Sequence, residues 1–90
     1  MLTLPARYSL IFTGCTGYGA VGRSLTIYDL DTETEVYGGG CGATDEEAVI
    51  VTLAGPARDG GADMTFDDAF DVVSDVIQNA RRIVHQNICY

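Results

Sequence analysis

Carboxylates are the most abundant groups in this chain that could do chemistry, and they fall in two blocks. Thirteen Asp and Glu stand against five Arg and no Lys, a net charge of −8. Residues 25–47 hold seven of the acids and residues 59–75 hold six, with no base in either stretch. In the first block Asp29, Asp31, Glu33 and Glu35 recur at every second residue. That spacing matches the early ligands of a calcium loop, but the glycine and terminal Glu that complete an EF-hand are missing, so a solvated turn is the simpler reading. In the second block Asp67, Asp71 and Asp75 stand four apart, about 6 Å per step on one side of a helix. Both sets of acids suit a Lys- or Arg-rich protein surface. Direct contact with phosphate backbones or anionic membranes is disfavoured, because both require a basic patch.

Other reactive groups are few. His85, the only histidine, falls on the polar side of the C-terminal helical pattern and reads as exposed rather than as a base. His85 and Cys89 are four apart, but two ligands do not make a zinc site. Cys15, Cys41 and Cys89 are odd in number and form no C-x-x-C pair, so neither a disulfide framework nor a structural zinc is expected and a reducing cytoplasm fits best. Cys41, among glycines, has no base or cation nearby in sequence and reads as a small buried residue. Without Lys there is no Schiff-base chemistry and no P-loop. Gly17, Gly19 and Gly22 match the dinucleotide fingerprint G-x-G-x-x-G, yet the alternating strand pattern that follows at Leu25–Ile27–Tyr28 leaves no room for its helix. The residues therefore assign no catalytic role, no metal and no cofactor.

The elements that must position the acids follow from hydrophobic periodicity. Residues 7–13 read as a strand with Tyr8, Leu10 and Phe12 on one face, residues 25–30 as a second strand, and residues 35–39 as a third after a polar turn. Residues 45–54 carry a capping box, Thr44 with Glu47, and end at Gly55–Pro56; they read as a helix, with a buried strand as the alternative because Ala48 to Leu53 is apolar all round. A short fourth strand is placed near residues 62–66. Residues 65–86 read as one long amphipathic helix capped by Thr65. Phe66, Ala69, Phe70, Val72, Val73, Val76, Ile77, Ala80, Ile83 and Val84 fill its apolar half, and acids at its start with Arg81 and Arg82 near its end suit the helix dipole. The longest apolar run is too short to span a membrane. The N-terminal apolar piece is too brief for a signal peptide, although Thr13–Gly14–Cys15 is similar to a lipoprotein cleavage site.

A three-stranded meander followed by Gly42-Ala43-Thr44-Asp45-Glu46-Glu47-Ala48 resembles the partial ribonuclease H fold of HicB-like antitoxin domains over residues 7–55. The resemblance implies a helix starting at that motif and a role in binding and restraining a toxin. The full ribonuclease H pattern is echoed in Phe12-Thr13-Gly14 and in the segment bearing Glu47, with Asp67 and Asp68 further on. That family carries an Asp on its first strand to hold magnesium, and here Gly14 stands in its place. In composition the chain is also similar to small acidic phage inhibitors such as anti-CRISPR proteins.

The resulting expectation is a single small α+β domain over residues 1–90. It has two layers, an antiparallel sheet of three or four strands covered by the long C-terminal helix and one short helix. The expected function is non-catalytic. Asp29, Asp31, Glu33, Glu35, Asp67, Asp71 and Asp75 would engage a basic, nucleic-acid-binding surface of a partner protein, as an antitoxin or a phage-encoded inhibitor does. The alternatives are a degenerate ribonuclease H-like nuclease using Glu47 and Asp67 or Asp68 with magnesium, and a structural subunit that dimerises.

Overall fold

The computed structural model describes residues 4–15 and 21–88. The fold is α+β, with a four-stranded sheet in the order β3-β2-β1-β4 and two α-helices. Strands β1 (Tyr8–Gly14), β2 (Arg23–Asp29) and β3 (Thr34–Gly42) form an antiparallel meander. Helices α1 (Asp45–Ala54) and α2 (Phe66–Asn79) follow, and the chain closes with β4 (Arg82–Gln86) running parallel to β1.

The start of α1 is the capping box read from sequence. Thr44 Oγ1 accepts a hydrogen bond from the Glu47 amide at 3.1 Å, and the Glu47 carboxylate accepts one from the Ala43 amide at 3.3 Å. Each satisfies an amide that the helix itself leaves unpaired. Helix is thus the correct reading of residues 45–54. Ala48, Val49, Thr52 and Leu53 are buried and Ile50 and Ala54 half-buried, which is why the segment is apolar on nearly all sides. Gly40 of β3 allows that burial, since a Cβ there would collide with Thr52. The Gly40 amide donates to Thr52 Oγ1 at 3.1 Å and the Gly38 amide to the Gly60 carbonyl at 2.8 Å. Both bonds blunt β3 as a free sheet edge.

Three expectations are corrected. The long helix stops at Asn79, and residues 82–86 form a strand instead. Ala80 turns extended, the Arg81 amide donates to the Tyr8 carbonyl at 2.9 Å, and Ile83 and Val84 pair with Leu10 and Ile11. β-Branched residues suit a strand better than a helix end, and pairing here satisfies the edge that β1 would otherwise expose. The sheet is therefore mixed rather than antiparallel, and its fourth strand lies at residues 82–86, while residues 62–65 adopt no regular structure. α1 packs on β3 and β2, and α2 packs beside α1.

Tyr8, Leu10 and Phe12 from β1, Leu25 and Ile27 from β2, Ala48, Val49 and Leu53 from α1, and Ala69, Val73 and Val76 from α2 make one core. Full burial of each large side chain contributes about 1.5–3 kcal/mol. α2 buries a narrower stripe than its sequence offers, because Phe66 and Phe70 remain 64% and 68% exposed. Among the described residues no helix is long and apolar enough to cross a membrane.

Candidate functional site

Two places gather polar chemistry, one at each end of the sheet. At the end where β1 begins, residues 4–8 run alongside α2 and enclose a groove of about 720 Å³. Leu4, Pro5, Tyr8, Met64, Val72 and Val76 give it apolar walls, and Asp68, Asp71, Asp75 and Asn79 bring polar groups from α2. The helix aligns these four because residues three and four apart share a face. The Tyr8 hydroxyl donates to the Val76 carbonyl at 2.5 Å and ties β1 to α2 beneath the groove. Burial pushes the Tyr8 phenol above its ordinary value, so it stays a neutral donor at physiological pH. Among the described residues no Arg or His pairs with Asp68, Asp71 or Asp75. Helix polarity accounts for only part of this acidity. It rewards acids in the first turn, where Asp67 and Asp68 stand, and fades beyond it. Asp71 and Asp75 lie deeper, and the last turn holds no base because Arg82 belongs to β4. The expected graded helix, acids first and arginines last, does not exist.

The seven acids expected to meet a partner thus separate. Asp71 and Asp75 line the groove, joined by Asp68; Asp67 stands in the same first turn outside its lining. The hairpin acids serve their turn. The Asp29 carboxylate accepts from the Asp31 amide at 2.8 Å, Asp31 pairs with Arg7 at 3.4 Å, and Glu33 takes a positive φ of 57° while its carbonyl accepts from the Tyr28 hydroxyl at 2.6 Å. Glu35, opposite Tyr28, lies against Gly38. None of these four lines the groove, and the solvated-turn reading fits them.

At the other end, Asp45 opens α1 and receives two partners. Arg23 Nη1 lies 2.6 Å from its Oδ1 and His85 Nε2 lies 2.9 Å from its Oδ2. Arg23 also donates to the Val21 carbonyl, and the His85 ring stacks on Phe12 with centroids 5.1 Å apart. Burial raises the Asp45 carboxyl, and the bonds and charges of Arg23 and His85 more than offset that, leaving it below the usual carboxylate value. This clasp fastens the edge strand β4 to the start of α1. His85 was expected on an exposed helix face and instead sits on β4 beside Phe12. The sequence held no sign of it, since Arg23, Asp45 and His85 are far apart in the chain and belong to three elements.

The ribonuclease H-like arrangement finds little purchase. Glu47 closes the cap of α1, Asp68 lies in the groove, and a Cβ at Gly14 would collide with the Asn87 carbonyl, so the magnesium-binding Asp of that family has no room here. Among the described residues no three His, Cys, Asp or Glu side chains are close enough to share a metal ion. The glycine fingerprint lies mostly outside the described residues, and β2 rather than a helix follows it. Cys89, the other member of the pair with His85, is also outside them. Cys15 and Cys41, for which the sequence indicates no disulfide framework, have their sulfurs 2.7 Å apart. Compared with models of known families, with curated proteins and with solved structures, the chain matches none.

Proposed function

We propose that the protein is a non-catalytic binding module whose acidic groove takes an Arg- or Lys-rich segment of a partner that itself handles nucleic acid. The inhibitory role of an antitoxin or of a phage-encoded inhibitor is the biological form of this reading, and it places the protein in the cytoplasm. The observation that carries it is the groove between residues 4–8 and α2, where Asp68, Asp71 and Asp75 rim apolar walls. Such a cleft accepts a cation together with its aliphatic stem, as Lys and Arg side chains require. The meander and the capped start of α1, on which the HicB-like resemblance rests, support the same direction.

Titration with an Arg-rich peptide at two ionic strengths tests the proposal. Binding should weaken steeply with salt, and Asp68→Asn/Asp71→Asn/Asp75→Asn should lower affinity at least tenfold, about 1.4 kcal/mol. Binding indifferent to both would overturn it. A second reading, a subunit that dimerises, rests on the exposed Phe66 and Phe70. It requires a dimer in light scattering that Phe66→Ser/Phe70→Ser converts to monomer.

A further inference from the structure

We infer that Cys15 and Cys41 form a redox-active dithiol that closes to an intramolecular disulfide by exchange with a small disulfide such as oxidised glutathione. Their sulfurs are 2.7 Å apart although the residues are separated by 26 positions in sequence. A covalent S–S bond is about 2.05 Å, so each sulfur has only a few tenths of an ångström to travel.

The sheet explains the approach. Gly40 and Gly42 of β3 both lie against α1, where a Cβ at either would collide with the helix. Cys41, between them, therefore projects to the opposite face. On β1, Phe12 is in the core and Thr13 is not. Cys15, two residues beyond Thr13 and still hydrogen-bonded across to Gly22 at 2.9 Å, takes that same opposite face. β2 lies between the two cysteines, and the residue opposite Cys15 is Gly22, which puts no side chain in the way. Both cysteines are half-buried, and the contact between their sulfurs is a hydrogen bond.

The exchange balances with the two thiols and one small disulfide. The Cys15 thiolate attacks RS–SR, a Cys15–S–SR bond forms and one RS⁻ leaves. Cys41 then attacks Cys15 Sγ, the intramolecular bond forms and the second RS⁻ leaves. The two protons of the protein thiols convert the leaving groups to two RSH, and the protein's dithiol is oxidised as the small disulfide is reduced. The hydrogen bond with Cys15, followed by burial, pushes the Cys41 thiol up to about 11; the contact is shared by the two sulfurs, so the same scheme balances with their roles exchanged.

The test uses the full chain carrying Cys89→Ser, so that no third thiol competes. Equilibrated in glutathione buffers of rising oxidised fraction, it should lose both alkylatable thiols together while remaining a monomer, 2 Da lighter by intact mass. Closing a loop of this length should favour the folded state by about 10²-fold or more and raise the unfolding midpoint by about 10 °C, an effect reversed by dithiothreitol. Cys41→Ser and Cys15→Ser should each stop at a glutathione adduct on the remaining cysteine, since neither has a second thiol to close the bond. Two thiols that stay fully alkylatable at the most oxidising ratio, or oxidation that yields only adducts or cross-linked dimers in the parent, would overturn the inference.

Discussion

The two ends of the sheet hold acids of opposite circumstance. At the clasp, Asp45 is half-buried and both its oxygens are engaged, by Arg23 and by His85. In the groove, Asp68, Asp71 and Asp75 share one helix face without a described counter-charge. Like charges at such spacing cost a few tenths of a kcal/mol per pair, and only Asp68 stands in the first turn, where helix polarity offsets that cost. Acids that stabilise are paired, and acids held at a cost beside an apolar cleft are available to something else. The difference gives the clasp a structural role and leaves the groove acids as the ones that the proposed binding draws on.

The largest effect should come from Arg23. Arg23→Met removes a buried guanidinium that serves Asp45 and the Val21 carbonyl, leaving part-buried acceptors unsatisfied. Chemical denaturation should show a loss of about 2–3 kcal/mol. A loss below about 0.5 kcal/mol would mean that the clasp holds nothing.

Acid should act on the same end. The Asp45 carboxyl is lower in the folded state than its unfolded value of 3.8. Its contribution is therefore present above about pH 4 and is lost as pH falls through the folded value. Asp45→Asn should be less stable than the parent at neutral pH, and the gap should narrow as pH drops below about 4. A gap that stays constant with pH would show that ionisation of Asp45 contributes nothing.

The smallest effects should come from α2. Asp68→Asn/Asp71→Asn/Asp75→Asn should move stability by no more than about 0.5 kcal/mol, because the loss of one helix-start charge offsets relief of repulsion. Phe66→Ser/Phe70→Ser should likewise stay within about 0.5 kcal/mol at monomer concentrations, since both rings are exposed. A groove triple variant that lost 2 kcal/mol or more would move these acids into the structural class and erase the contrast.

How far the sequence made this legible depends on the range of the cause. The meander and α1 were readable because their signals are local: strand alternation, a Thr–Glu capping box, a Gly–Pro stop. The end of α2 was not. Ile83 and Val84 continue the helical wheel as smoothly as they fit a strand, and no Gly or Pro marks the break at Ala80. What decides it is pairing with β1, some 70 residues earlier, and no local pattern carries that information. Separation in sequence likewise hid the clasp, whose three residues come from β2, α1 and β4, and the meeting of Cys15 with Cys41 across β2. In the groove, the stripe of Asp71 and Asp75 was visible from its spacing, but the run of residues 4–6 beside it was not, because that segment has no periodicity of its own.

Backbone amide NMR during titration with an Arg-rich peptide tests the assignment of binding to one end most directly. Shifts should be confined to residues 4–8, Met64 and the Asp68–Asn79 face of α2, with Asp45, His85 and their neighbours unmoved. Shifts centred on the clasp, or spread evenly over every acidic residue including Asp29 to Glu35, would contradict it.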